Sequence, residues 1–432
     1  MDAALQLRGE SFRLALLVLS HVGLCCISLI CVALIYPHYH FVFYPQQLLV
    51  ATAMVLPMAA LSLLFATAPF TFGYSVSFSL YTMLLGYVWL NVFSELPYDH
   101  LLAFVSTLAA STAFLFPALF IGSPVRQLYV LSPSALDRLL LFVFALAIAI
   151  IVMGSSYNFR FIDIEHIYAF RDQIVFPKAL SYGIGITSST LLPFAFACFI
   201  ERGQRLRAAL VLLLLACFYP ITLTKLAFFA PVWLLLLVIA FRFFGARTTC
   251  LLSVFGPMLI GLLLFPLVRS DTALTGPAAS YFYVINLRMF AIPSLAMDYY
   301  GYFFSNHPLT YYCQIGVVKA AWGCPYQAPL AIVIYNYFGI GGNLNASLFA
   351  TEGIASVGPV FAPVAALVGG LVVAVANRLS SGLPPRFVLV SSGMMPQLLL
   401  NVPLSIALVT YGAAVLFLLW YLMPSSFLES KQ

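Results

Sequence analysis

Apolar runs of roughly 20 residues, each closed by a short polar interval, recur along most of the chain, and that is the length a helix needs to cross a hydrocarbon core. A membrane β-barrel would instead alternate apolar and polar positions over segments of about 10 residues. The pattern predicts an all-α, polytopic membrane protein with twelve spans, near 12–36, 47–67, 74–94, 99–121, 137–154, 179–200, 208–222, 226–241, 249–267, 353–376, 387–401 and 403–421. The first run follows Arg8 and Arg13 as the core of a signal peptide would. It is too long for one, and no small-residue cleavage site follows, so it reads as a permanent helix. Residues 68–73 and 401–403 carry no charge and are the least marked turns.

The polar intervals differ greatly between the two sides. Twelve spans place both termini on one side, and 12 of the 19 Lys and Arg fall there too, which makes that side cytoplasmic by the positive-inside rule. On the other side, 37–46 and 95–100 are short connectors, 155–178 is a medium loop, 223–225 is a tight turn and 268–352 is a large loop. Within the large loop, 280–304 is rich in Tyr and Phe and interrupted by Pro293, and 326–342 is apolar and ends in Gly339, Gly341 and Gly342. Either suits an interfacial or re-entrant helix. The whole chain, 1–432, reads as one integral membrane domain. It has no internal repeat and no inverted symmetry of the kind that marks many alternating-access transporters.

Composition agrees: 63% of residues are hydrophobic and 7% charged, against about a quarter charged in soluble domains. The net charge of +6 would raise nucleic acid as a partner of a soluble protein. Here the sidedness of the loops accounts for it, and no nucleic-acid partner is expected. Of eight Cys, six fall in or beside spans as packing residues. Cys313 and Cys324 lie in the large loop on the oxidising side, where a disulfide would close a small loop as a staple.

With so few charges, their locations carry information. The medium loop holds Arg160, Asp163, Glu165, His166, Arg171 and Asp172. As a helix it would gather Arg160, Asp163 and Arg171 within about an 80° arc. That fits an amphipathic helix lying on the leaflet with a solvated charged face. It also fits an anion site in which arginines bind a diphosphate and a carboxylate or His acts as base. The turn Thr222-Leu223-Thr224-Lys225 puts a Lys either snorkelling to the interface or beside a helix start, where a phosphate would bind.

Arg288 lies in an otherwise apolar stretch, with Asp298, Tyr299, Tyr300 and His307 following. It calls for a salt bridge to Asp271 or Asp298, or for a lipid diphosphate. His307, before a Pro, is by itself a loop residue. Asn343, Asn345, Ser347 and Glu352 form a polar entry to the tenth span, where Glu352 sits at the membrane boundary and Gly353 and Gly358 suit close helix packing. No metal-ligand cluster, phosphate-cradling Gly loop or nucleophile elbow appears, so no cofactor or bound metal is expected.

These features together resemble the bacterial oligosaccharide repeat-unit (O-antigen, Wzy-like) polymerases, which are related to the O-antigen ligases. The resemblance rests on the outer loop with Arg171, the Thr-Leu-Thr-Lys turn, the large loop with Arg288, and Asn345-x-Ser-Leu-Phe-x-x-Glu-Gly leading to Gly358. It implies a GT-C-like, metal-independent membrane glycosyltransferase. Such an enzyme takes a glycan from an undecaprenyl-diphosphate donor and joins it to a lipid-linked repeat unit at the outer leaflet of the inner membrane.

By the same resemblance, Lys225 and Arg288 match positions that neutralise the donor diphosphate, and the partners would be lipid-linked glycans, membrane lipids, a chain-length regulator and a flippase. The ligases carry a His-Asn pair where this chain has Asn343 and Asn345, which favours a polymerase. That leaves Asp163, Glu165, His166, His307 or Glu352 as the base. A lipid-linked oligosaccharide flippase and an O-antigen ligase are the competing readings.

Overall fold

In the computed structural model of the chain, ten helices among the described residues are long and apolar enough to cross a membrane. The structure describes residues 2–162, 170, 173–271, 273–339, 344, 347 and 350–424, with side chains from residue 9 onward. Nine of the ten follow in order: α1 (Asp2–Ile35), α2 (Pro45–Thr67), α3 (Phe72–Phe93), α4 (His100–Phe120), α5 (Pro133–Ser155), α6 (Lys178–Glu201), α7 (Arg205–Thr222), α8 (Lys225–Phe243) and α9 (Ala246–Ser270). After α9 come α10 (277–306) and the short helices α11 (Gly316–Trp322) and α12 (Leu330–Phe338). The tenth long helix, α13 (Ala350–Ser380), precedes four short ones: α14 (Pro385–Ser391), α15 (Met395–Leu399), α16 (Leu404–Val409) and α17 (Ala413–Leu422).

Polar contacts sort the helix ends onto two faces. At the face where α1 starts, here the proximal face, Arg247 meets Glu10 at 2.6 Å, Arg202 meets Asp137, and Arg386 lies 3.6 Å from Glu201. These are all the ion pairs among the described residues, and they fall where the charge pattern gathers Arg. At the distal face the Val42 N–H donates to the Phe93 carbonyl (3.1 Å), and Asn158 donates to the Pro220 carbonyl (2.9 Å).

The α3 helix is apolar and buried around nearly its whole circumference, as befits a central helix. Lipid supplies little hydrophobic drive between helices, so close backbone approach and hydrogen bonds hold the bundle. The Gly73 N–H donates to Asn377 Oδ1 (2.6 Å), and Asn377 Nδ2 donates to the Ala118 carbonyl (2.7 Å). A Cβ on Gly73 would lie 2.0 Å from that carbonyl oxygen, so α3, α4 and α13 meet only because residue 73 is glycine.

Two features depart from simple crossings. First, α10 begins beside Asp271, whose carboxylate accepts the Gly276 N–H (2.7 Å). In its middle Asn286 donates to Ser28 (2.9 Å) and Ser294 to the Met83 carbonyl (2.9 Å), both inside spans. Its far end returns to the distal face, where Ser94 bonds Asp298 and Tyr299 bonds the Tyr39 carbonyl (3.0 Å). Both of its ends therefore lie at one face.

Second, the last two expected spans are present as broken paths. Arg386 starts α14 at the proximal face, the Leu404 N–H meets Glu352 at the distal face (3.2 Å), and the Tyr421 carbonyl returns to Gln127 (2.5 Å). Pro396, Pro403 and Gly412 (φ 77°) interrupt the helical ladder along the way. Among the described residues ten long helices, against twelve expected spans, follow from these breaks, and α13 itself kinks at Gly358 (φ 72°).

Candidate functional site

Among the described residues the bundle holds a partly open cavity of about 810 Å³, walled by α3, α6, α7, α8, α9, α10 and the broken α14–α17 path. Five backbone irregularities converge on it. The π-helical segments Thr187–Leu191 of α6 and Tyr283–Ala291 of α10 both supply lining residues, as do the breaks at Ser392, Asn401 and Thr410. Single π turns recur at functional sites. Irregular backbone at membrane depth survives only where protein buries it or it lines a cavity.

The wall is mostly apolar, with hydroxyls and amides set into it. Its charged members among the described residues are Lys225 and Arg288. The turn that presents Lys225 is built on a strained residue. Leu223 adopts the left-handed conformation (φ 47°), which costs a branched residue on the order of 1–2 kcal/mol, and its fully buried side chain holds it there. Thr222 and Thr224 share a hydrogen bond (3.1 Å), and Thr224 caps α8 by accepting the Ala227 N–H (3.3 Å). Lys225 is thus the first residue of a 19-residue helix, where the helix dipole adds partial positive charge to the ammonium.

Arg288 comes from the π segment of α10. Lys225 Nζ lies 5.8 Å and Arg288 Cζ 5.7 Å from the centre of the same Tyr283 ring, so two cations 63 positions apart in the chain share one aromatic ring. The Arg288 guanidinium also acts electrostatically on the Tyr39 hydroxyl. Tyr299 in turn fixes the Tyr39 carbonyl. Tyr299, a candidate from sequence, is therefore a buried brace for the residue that orients Arg288, and it does not line the cavity.

The carboxylates proposed as partners of Arg288 are engaged elsewhere. Asp271 caps the Gly276 turn, and Asp298 is buried and accepts hydrogen bonds from Tyr98 (2.5 Å) and Ser94 (2.7 Å). Burial pushes the Asp298 carboxyl up to about 6, against those two bonds, which pull it down. His307 stacks flat on Phe303, with ring centres 4.0 Å apart, and its Nδ1 bonds the Phe303 carbonyl (2.9 Å). It belongs to an aromatic cluster away from the cavity wall.

Glu352 is buried behind the wall and accepts the Leu404 N–H at the break between α15 and α16. Arg160 anchors the start of the medium loop, its N–H donating to the Pro220 carbonyl (3.0 Å) next to the Lys225 turn. The guanidinium of Arg160 lies 6.0 Å from the centre of the Phe170 ring. Asp163, Glu165, His166, Arg171 and Asn345 lie outside the described residues, while Ile174 and Phe176, just beyond the first four, line the cavity. Cys313 and Cys324 are joined in a disulfide, as their spacing suggested.

Family models, curated proteins and solved structures give no match to this chain. The site is therefore legible only through its own chemistry: an apolar, membrane-embedded chamber whose distal end carries two cations and a helix start. Such an arrangement can hold an anionic headgroup together with an attached apolar chain. Sequence reasoning missed Tyr283 and Tyr39, which set the cation pair, and the amides Gln397 and Asn401 in the wall. The signal for the amides was present as two polar side chains four apart within an otherwise apolar span.

Proposed function

We propose that the chain is a membrane glycosyltransferase that polymerises polyprenyl-diphosphate-linked oligosaccharide repeat units, as in the synthesis of O-antigen or another bacterial surface polysaccharide. The observation that carries this reading is the meeting of Lys225, the α8 start and Arg288 on one wall of one cavity. When the bond between the donor glycan and its diphosphate breaks, negative charge builds up on the leaving diphosphate. Cations fixed before the reaction stabilise that charge without reorganising. The acceptor hydroxyl attacks the anomeric carbon as that bond breaks, and its proton passes to a base. Asp163, Glu165 and His166 are the candidates, because the chain reaches the cavity wall at Ile174 and Phe176 soon after them. Glu352 acts from behind as a support.

Orientation follows from two independent features. The cationic loops and their ion pairs gather at the proximal face, which the positive-inside rule assigns to the cytoplasm. The Cys313–Cys324 disulfide belongs to the opposite, distal side and requires an oxidising compartment there. Transfer then takes place at the outer leaflet of the inner membrane.

A second reading, transport of a lipid-linked glycan, draws on the depth of the cavity. Its wall extends to Ser75 and Cys250, near the proximal ends of α3 and α9. At that depth the described wall offers hydroxyls and a thiol, not the charges that mark an ion-coupled path, so polymerisation is the better-supported function. Loss of the gene is expected to leave a single repeat unit on the lipid, read on a gel of surface polysaccharide. Full-length chains in its absence would refute a polymerase, and repeat units trapped on the cytoplasmic leaflet would favour transport.

A further inference from the structure

The loop between Cys313 and Cys324 contributes nothing to the cavity wall, and a break in α13 sets where it attaches. In an unbroken helix the Ala355 carbonyl would accept the N–H of residue 359, but Pro359 has none. The Thr310 N–H takes that place (2.8 Å), and the Tyr311 N–H donates to the next carbonyl, that of Ser356 (3.1 Å). The hydroxyls of Thr310 and Ser356 share a further hydrogen bond (3.0 Å). Tyr311 and Tyr312 follow in consecutive left-handed conformations (φ 47° and 61°), which bulky residues adopt only where their surroundings impose them.

This attachment has a defined depth. Ala355 lies five residues into α13, or about 8 Å from its distal end. Just past the break Val360 and Phe361 are 64% and 62% exposed, and on an apolar membrane-spanning helix such residues face acyl chains. The loop is therefore rooted at the upper edge of a lipid-facing surface. Both of its ends stay there: the Cys313 N–H donates to the Thr310 carbonyl (2.9 Å), and the disulfide holds the Cys324 Cα 5.2 Å from that of Cys313.

What the loop presents is apolar. None of the seven residues of α11 is buried, and Val317 and Trp322 are 81% and 83% exposed. At 100° per residue, Ala320, Val317, Ala321, Val318 and Trp322 follow one another around an arc of about 200°, and Lys319 lies about 160° from the centre of that arc. Lys319 is also the one charge between the two cysteines. So short a helix is not stable alone in water, and its apolar arc is costly to hydrate. The lipid–water interface satisfies both sides of it, since Trp favours the headgroup level and a Lys can reach the phosphates.

We propose that α11 is an interfacial helix. The disulfide-closed loop lays the arc from Ala320 through Val317 to Trp322 against the outer acyl chains of the distal leaflet, with Lys319 among the lipid phosphates. The Cys313–Cys324 bond keeps α11 over its attachment on α13. This contact is independent of the reaction proposed above.

The test reads Trp322 fluorescence in the full-length protein, in nanodiscs of phosphatidylcholine that is either unmodified or brominated on the upper acyl chain. The chain has four Trp, so the Trp322 signal is the difference between each protein and its Trp322→Phe counterpart. That exchange lies at an exposed position and leaves the packed core untouched. Brominated lipid is expected to remove most of the Trp322 signal. Val317→Glu, which puts a second charge near the middle of the arc, is expected to restore much of it. A Trp322 signal untouched by brominated lipid overturns the proposal. Quenching by aqueous iodide would then place α11 in water, and protection from both quenchers would place it against protein, whether a second copy of this chain or another partner. Lipid quenching undiminished in Val317→Glu overturns the arc as the embedded face.

Discussion

Arg288 and Asp298 stand ten positions apart in the same helix, α10, and in sequence they look alike: a charge amid Tyr, Phe and aliphatic residues. Their surroundings are opposite. Asp298 is enclosed, and its two oxygens accept from Tyr98 and Ser94, tying α10 to the connector between α3 and α4. Arg288 projects from a π segment into a cavity, beside a second cation on a shared ring. The lesson is that a charge within an apolar helix marks a strut when local hydrogen bonds engage it in a closed pocket. It marks a site when its neighbours line a cavity that a ligand can enter.

Substitutions should separate the two. Arg288→Ala and Lys225→Ala are expected to lower transfer by about 10²–10³-fold each, the usual cost of removing one fixed electrostatic stabiliser of a transition state, with protein abundance unchanged. Assays of polymer per unit of folded protein measure this directly, and normal chain length in either variant removes that residue from the site.

A smaller effect of another kind is expected at Asp298. Asp298→Leu leaves buried hydroxyls without their acceptor, at a cost on the order of 1–3 kcal/mol. It should appear as a lower melting temperature while transfer per folded molecule persists. Should it abolish transfer in fully folded protein, Asp298 would join Arg288 in the site and the contrast would collapse.

The smallest effect concerns pH. Burial raises the Asp298 carboxyl to about 6 in the folded state, whereas an unfolded Asp titrates near about 3.9. Between those values the native state holds more protons than the unfolded one, so stability falls as pH rises from about 4 to about 6 and this contribution is flat above. Thermal unfolding of wild type and Asp298→Asn across that interval should differ in slope by this amount. A wild-type slope retained in Asp298→Asn would assign the titration to another group.

Much of the fold was readable because hydrocarbon thickness sets the period of the pattern. The charge asymmetry located the cationic loops, and the aromatic, Pro-interrupted 280–304 stretch stood apart from the long apolar helices. The last crossings were harder. Residues 387–401 and 403–421 are apolar enough to count as spans, yet Pro396, Pro403 and Gly412 break them into short helices. Composition measures apolarity and misses where the hydrogen-bond ladder stops.

Lys225 and Arg288 were visible because charge is rare in this chain. Their convergence was not, since it depends on the left-handed Leu223 and on a π segment that turns Arg288 toward the cavity. Periodicity at 3.6 residues per turn encodes neither. Gln397 and Asn401 were passed over for a related reason: in an unbroken helix two amides four apart read as a packing contact, and only the break turns them into a wall.

The central claim is that the Lys225 and Arg288 chamber transfers a glycan from a lipid diphosphate to a lipid-linked acceptor. The most direct measurement incubates the purified protein in nanodiscs with lipid-linked repeat units alone and sizes the products on a gel. A ladder of increasing length, accompanied by release of lipid diphosphate and absent with Arg288→Ala, is the expected result. Unchanged repeat units with the wild-type protein, or an undiminished ladder with Arg288→Ala, would contradict it.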